Sequence, residues 1–496
     1  MLSRFSAYSA MIGVVGVLVM VQVPHAACPP SASLSGELDG DRFGEAVAVI
    51  GDVNHDGSAD LLVGAPRNGA AGDFAGRVYL YSGTDGTLLD MQTGQAAGDN
   101  FGAEVASAGD VNADGYDDYI IGAPYHDAVA SDAGRAYVFS GTDGALLYTF
   151  DGEGDNDWFG ESVAGAGDVN VDGYADLIVG APQYGSPARG KAYVFSGRDG
   201  SLLHQFVAAN LYAYLGIAVA AAGDVDADGF PDLLVGAPVV NLFTGEAYVY
   251  SGQTGALLHT FASGHADGQF GRAVAGAGDV DADGFDDILV GAWSDDTYGD
   301  NAGRAFVYSG QTGDLLHELT RPDGSTKPMF GVSVGATGDW DDDGHDDVLV
   351  GCSGGTFVFS GTDGTVLTAV TIQPVTTFFG TAVASGGDIN GDGHADILVG
   401  QFDAEAGRAY TFSCAAACDC DCHADPECDG VCNVLDVVRT VGTAFRGQPA
   451  PLDTECLKER TDVDCNGLTN VLDVVRVVNV AFRSGDPVVE FSNPCP

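Results

Sequence analysis

One acidic phrase of nine residues recurs seven times along this chain, and any fold must give all seven copies the same setting. The copies are DVNHDGSAD from Asp52, DVNADGYDD from Asp110, DVNVDGYAD from Asp168, DVDADGFPD from Asp224, DVDADGFDD from Asp279, DWDDDGHDD from Asp339 and DINGDGHAD from Asp388. They are spaced by 58, 58, 56, 55, 60 and 49 residues. An FG-like pair precedes each copy, such as Phe43-Gly44 or Phe159-Gly160, with Leu215-Gly216 in the fourth. An apolar run and a GAP-like turn follow, as in LLVGAP at residues 61–66, decaying to GAW, GCS and GQF in the last three copies. Then come an aromatic run such as AYVFSG at residues 136–141, a turn and another strand-like run. Segments such as 61–63 and 137–139 are β-branched or aromatic and bounded by Gly or Asp, so each unit holds four short strands.

Seven four-stranded units predict a mainly β chain, a seven-bladed β-propeller over residues 28–414. A linear solenoid would want capping repeats, and none is legible. The ends predict closure. The seventh unit stops after AYTFS at residues 409–413, without a fourth strand, while residues 33–44 align with the fourth-strand end of other units. The N-terminal segment should therefore supply the outer strand of the last blade. Counting back from Phe43 brings Cys28 beside the turn after Ser413, which predicts a Cys28–Cys414 disulfide. Closing so long a loop stabilises by about 4–5 kcal/mol in the chain-entropy model.

Each phrase puts side-chain oxygens at positions 1, 3, 5 and 9 and glycine at 6, which matches the first half of a calcium loop. The predicted donors are Asp52, Asn54, Asp56 and Asp60, then Asp110, Asn112, Asp114 and Asp118, then Asp168, Asn170, Asp172 and Asp176. They continue with Asp224, Asp226, Asp228 and Asp232, Asp279, Asp281, Asp283 and Asp287, Asp339, Asp341, Asp343 and Asp347, and Asp388, Asn390, Asp392 and Asp396. Asp, Asn and Gly also make plain turns. Seven complete copies, each between predicted strands, outweigh that reading. Magnesium, which keeps its waters, suits such loops less than calcium. The ions should be structural, neutralising converging carboxylates. His55, His345 and His394 fall at non-donor positions and should face solvent.

These residues resemble the FG-GAP repeats of the integrin alpha-subunit head in the FG pair, the DxDxDG loop and the GAP turn, over residues 33–413. The resemblance implies a seven-bladed propeller with calcium on one face and ligand contact on the other. Integrin heads carry such loops in only some blades, and no long stalk or transmembrane helix follows here, so a receptor-subunit role is not implied. The propeller of glycosylphosphatidylinositol phospholipase D is similar too, but nothing here resembles its catalytic domain.

Outside the repeats, residues 1–27 read as a secretory signal, with Arg4, an apolar run at 11–23 and small residues Ala26 and Ala27. Nine of eleven cysteines lie at or beyond Cys414, which in an exported chain suggests disulfides. Residues 415–424 read as a linker, and residues 425–496 hold a second duplication with copies 37 residues apart. Oxygens fall at loop positions 1, 3, 5, 9 and 12: Asp425, Glu427, Asp429, Asn433 and Asp436, then Asp462, Asp464, Asn466, Asn470 and Asp473. Apolar residues at helical spacing follow each loop. The pair resembles a dockerin, an EF-hand-type calcium module, and implies a small α-helical, disulfide-rich domain with a cohesin-like partner. Val434-Leu435 and Val471-Leu472 stand where many dockerins carry Ser or Thr, which departs from ordinary partner choice. The eight cysteines from Cys418 onward could form four disulfides of unreadable connectivity, and Cys352 should be buried and inert.

The reading is therefore a secreted or cell-surface adhesion or interaction protein with about seven Ca2+ in the propeller and two in the tail module. Its propeller face should bind a protein or glycan through Trp158, Tyr184, Tyr212, Tyr214, Trp293 and Tyr298, with Tyr125 and Phe243 nearby. The net charge of −52 argues against nucleic acid and anionic membranes as partners. No GxSxG, HExxH or phosphate loop is present, so no enzyme is expected. An extracellular hydrolase or polysaccharide-degradation accessory, and a structural cell-envelope protein, are the alternative readings.

Overall fold

In every repeat the second strand is buried at all six positions, from Asp60–Ala65 in the first to Asp396–Gln401 in the seventh. A strand buried on both faces needs a sheet neighbour on each side. A computed structural model supplies those neighbours, and it describes residues 30–413 apart from Ala128, 184–188, Ala266, 323–328, 373–377 and 403–405. The signal segment, the Cys28–Cys414 pair, the linker and the tail module with its ten donors lie outside the described residues, as does Tyr184.

The described residues form seven four-stranded antiparallel sheets. Blade 1 is Val47–Ile50, Asp60–Ala65, Arg77–Tyr81 and Leu88–Thr93, and blades 2 to 6 repeat this order. The first strands stand side by side around the axis. They read VAGAG (Val163–Gly167), VAAAG (Val219–Gly223) and AVAGAG (Ala273–Gly278), because the centre has no room for bulk. A Cβ on Gly165 would sit 2.9 Å from Ser107 O of the preceding blade. Outer strands such as Leu146–Asp151 are largely solvent-facing.

Closure is as the sequence predicts. Ala32–Ser35 pairs antiparallel with Arg408–Phe412 in the register Ala32↔Thr411 to Ser35↔Arg408, giving blade 7 its fourth strand.

The core lies between blades. One cluster joins Ile50, Leu62 and Leu80 of blade 1 to Val105, Ile121 and Tyr137 of blade 2. Another joins Ile120 and Val138 of blade 2 to Phe159, Val179 and Tyr193 of blade 3. The FG pair explains its recurrence here. Phe101 and Phe159 are buried edge-on against Tyr137 and Tyr193 of their own blades, at 5.2 and 5.4 Å. Their main chains bridge to Gly76 and Gly134 of the blade before. Gly134 has φ +83, and a Cβ there would strike the Phe159 main chain, so glycine is required. Cys352 is buried, as expected.

Candidate metal loops and the opposite face

All seven acidic phrases adopt one backbone form. The residue at position 4 is left-handed in every copy: His55, Ala113, Val171, Ala227, Ala282, Asp342 and Gly391 have φ between 53 and 77. The position 6 glycines follow at φ 89 to 94. The first aspartate anchors the turn, as when Asp110 Oδ1 accepts from Asp114 N–H at 3.0 Å and its Oδ2 from Gly115 N–H at 2.8 Å.

The position 9 aspartate is a brace as well as a predicted donor. Asp118 Oδ2 accepts from Val111 N–H at 3.0 Å, and Oδ1 accepts from Gly141 N–H at 3.1 Å, in the turn between the third and fourth strands. Asp60, Asp176, Asp232, Asp287 and Asp347 do the same. Burial, aided by neighbouring loop carboxylates, pushes Asp60 and Asp396 up to about 6, and Asp118, Asp176, Asp232, Asp287 and Asp347 up to about 7. Negative charge is thus crowded within these loops.

In blades 4, 5 and 6 the oxygens of Asp224, Asp226 and Asp232, of Asp279, Asp281 and Asp287, and of Asp339, Asp341 and Asp347 converge within 4.8 Å of one another. The other four loops carry asparagine at position 3. A donor set made only of hard oxygens around crowded charge fits a divalent cation.

At the opposite end, the residue before each FG-like pair is left-handed in blades 1 to 6: Arg42, Asn100, Trp158, Tyr214, Gln269 and Met329 have φ of 50 to 57. Such a conformation costs about 1–3 kcal/mol per residue and persists only where the surroundings impose it. Arg42, Asn100 and Met329 of this set reach the mouth of the axial channel. There a cavity of about 570 Å³ is lined by Arg42, Glu45, Glu104, Tyr125, Glu161, Arg272, Trp293 and valines of the first strands, among others. Arg42 Nη1 pairs with Glu45 Oε1 at 2.7 Å.

The FG-GAP repeat family matches residues 43–81, 101–139, 159–195 and 215–250, and an FG-GAP-like repeat matches residues 339–399. The chain carries FG-GAP repeats. It is similar to integrin alpha-5 of Xenopus laevis, 33% identical over 247 residues covering 46% of this chain and 22% of that protein. It is also similar to integrin alpha pat-2 of Caenorhabditis briggsae, 35% identical over 229 residues, 41% of this chain and 18% of the relative. Against integrin alpha-4 of Xenopus laevis it is 30% identical over 278 residues, 52% of this chain and 26% of the relative. The match thus spans 18–26% of the length of these relatives.

The predicted aromatic surface of the FG-GAP propeller is only partly assembled. Trp158 meets Tyr125 edge-on at 5.5 Å, and Tyr125 and Trp293 both line the cavity. Tyr214 is half-buried beside its FG-like pair, whereas Tyr212, Tyr298 and Phe243 stand exposed and do not line that cavity. One histidine departs from expectation. His345 Nδ1 lies 2.8 Å from Val280 O of the neighbouring blade, so it faces a blade junction rather than solvent. His55 and His394 are exposed, His55 with its ring 4.2 Å from that of Tyr116.

Sequence reasoning missed the glutamates at the mouth, although Glu45 and Glu161 directly follow FG pairs. Burial and the charges of Glu161 and Glu45, offset in part by Arg272, push Glu104 up to about 8. The folded chain therefore holds this proton more tightly than the unfolded chain. That contribution is complete below the ordinary carboxylate range and is lost as pH rises through about 8. Glu104→Gln should accordingly flatten the fall in melting temperature between about pH 6 and about pH 9. Parallel curves for the two proteins would refute the assignment.

Proposed function

We propose that this chain is a secreted, calcium-loaded adhesion or interaction protein. Its propeller would hold a protein or glycan ligand on the face bearing Trp158 and Trp293, and residues 425–496 would dock to a cohesin-like partner. The observation that carries this reading is the division between the two ends of the ring. One end presents repeated hard-oxygen loops. The other gathers Tyr125, Trp293, Arg42 and Arg272 around a cavity, Arg42 being one of the residues held left-handed before the FG-like pairs.

The four predicted donors of each loop would hold the calcium. The ion would supply the positive charge the crowded carboxylates need, leaving the loops to frame the blades. At the other face, Trp158, Tyr125 and Trp293 offer broad contact area at small entropic cost, beside the Arg42–Glu45 pair and Arg272. Among the described residues no helix is long and apolar enough to cross a membrane.

The test is a panel of extracellular-matrix proteins and glycans probed with the full chain in calcium. For any ligand found, Trp158→Ala and Trp293→Ala should each weaken binding about tenfold or more while leaving the melt intact. Affinity unchanged in both variants would move the ligand off this face.

A further inference from the structure

The acidic loops are tied to one another, and not evenly. Position 8 of the loop is no predicted donor, yet in most blades it reaches the preceding one. Asp286 of blade 5 donates its N–H to Asp224 O of blade 4 at 3.3 Å, and its Oδ2 accepts from Asp224 N–H at 2.7 Å. Asp346 of blade 6 grips Asp279 of blade 5 in the same two ways, at 3.2 and 2.9 Å. Both carboxylates approach over glycines, Gly223 and Gly278, where any Cβ would collide with them.

Elsewhere the tie is weaker. Ala59 and Ala175 give only the main-chain bond, to Asp388 O and Asp110 O. Asp117 accepts from Gly51 N–H at 3.1 Å. Pro231 has no N–H to give, and Ala395 has no carboxylate. The doubly gripped residues, Asp224 and Asp279, are position 1 donors. The three loops joined in this way are also the three whose four predicted donors are all aspartates.

We infer that the loops of blades 4, 5 and 6 take up calcium as one cooperative unit, coupled through Asp286 and Asp346, while the other four loops fill independently. The inference rests on the reading of the loops as calcium sites. An ion in loop 5 fixes Asp287 and with it Asp286 next in the chain. Asp286 then holds the main chain of Asp224, whose own carboxylate is a donor in loop 4. The ordering cost of loop 4 is thus partly met before its ion arrives, which is positive cooperativity without a change of fold. Four like charges per loop make these the loops with most to gain from it.

Calorimetric titration of the metal-free full chain with CaCl2, alongside terbium luminescence, tests the coupling. The wild type should show a steep class of three sites with a Hill coefficient of about 2 beside a shallower class. Asp286→Ala and Asp346→Ala should each bring the steep class toward about 1, and Asp286→Asn, which keeps the acceptor and drops the charge, should retain it. Asp117→Ala, at a singly tied junction, should leave the steep class unchanged. The calcium-loaded melt of each variant checks folding. Full uptake without any steep class, or a steep class that survives Asp286→Ala and Asp346→Ala, overturns the coupling and leaves the calcium reading standing. No uptake overturns both.

Discussion

Stripped of divalent ions with EGTA, the full chain should melt about 15 °C or more below its calcium-loaded form. A site held a hundredfold above its dissociation constant contributes about 2.7 kcal/mol to the folded state, so three such sites contribute about 8 kcal/mol. In a domain larger than 200 residues each kcal/mol moves the midpoint by about 2 °C. The structural reason is specific. The position 9 aspartates are fully or almost fully buried, and in blades 1 to 6 they also hold the turn between the third and fourth strands. Without a cation, each keeps that turn only by taking a proton or by enduring its neighbours' charge. Circular dichroism melts with calcium, with EGTA, and after calcium is restored measure the effect. A midpoint indifferent to EGTA would remove the metal from the framework altogether.

Phe159→Ala should cost about 3–5 kcal/mol, the usual range for emptying a buried aromatic site. This ring is a wedge between sheets. It lies edge-on to Tyr193 of its own blade, within the cluster that includes Ile120 and Val138 of the blade before. Its main chain bridges to Gly134, so the cavity would open where two blades are joined. The protein supplies its own control, because Leu215 fills the corresponding place in blade 4 and is equally buried. Phe159→Leu should therefore cost only about 1 kcal/mol. Denaturant unfolding of the two variants decides the point. Equal losses would mean that the aromatic edge, not the filled volume, holds the junction.

Much of this was legible because a propeller repeats its reasons. The strand Asp60–Ala65 is an unbroken apolar run after one aspartate, and burial on both faces is what such a run requires. The absent fourth strand of the last unit pointed to the chain's own start, and Ala32–Ser35 sits there in register. The loop donors follow a spacing that serves only one local geometry, and their shared left-handed position 4 is its signature.

What escaped was set by the ring rather than by the repeat. Glu104 is an unremarkable strand residue until seven blades turn it toward Glu161 and Arg272. Asp286 looks like one more acid in an acidic phrase, and only the neighbouring blade gives it Asp224 to hold. The aromatic surface was the least legible part. Trp158, Tyr212 and Tyr298 all lie in loops at one end, and Trp158 and Tyr212 share a left-handed backbone, yet only Trp158 turns onto a neighbour, Tyr125, while the other two stand exposed.

The pairing of Ala32–Ser35 with Arg408–Phe412 also sets a timetable for synthesis. Ser31 and Thr411, which hydrogen-bond in the finished ring, are 380 residues apart. At about 5–20 residues per second, the first strand leaves the ribosome about 20–80 s before its partner exists. Six blades can assemble in order during that interval, each on the last, while this strand waits with both edges open. Its sequence, ASLS, is short, largely polar and almost wholly exposed even when paired. A waiting strand of that kind is a poor template for wrong pairing. The clasp that closes the ring is therefore made from the piece least able to stick to anything else while it waits.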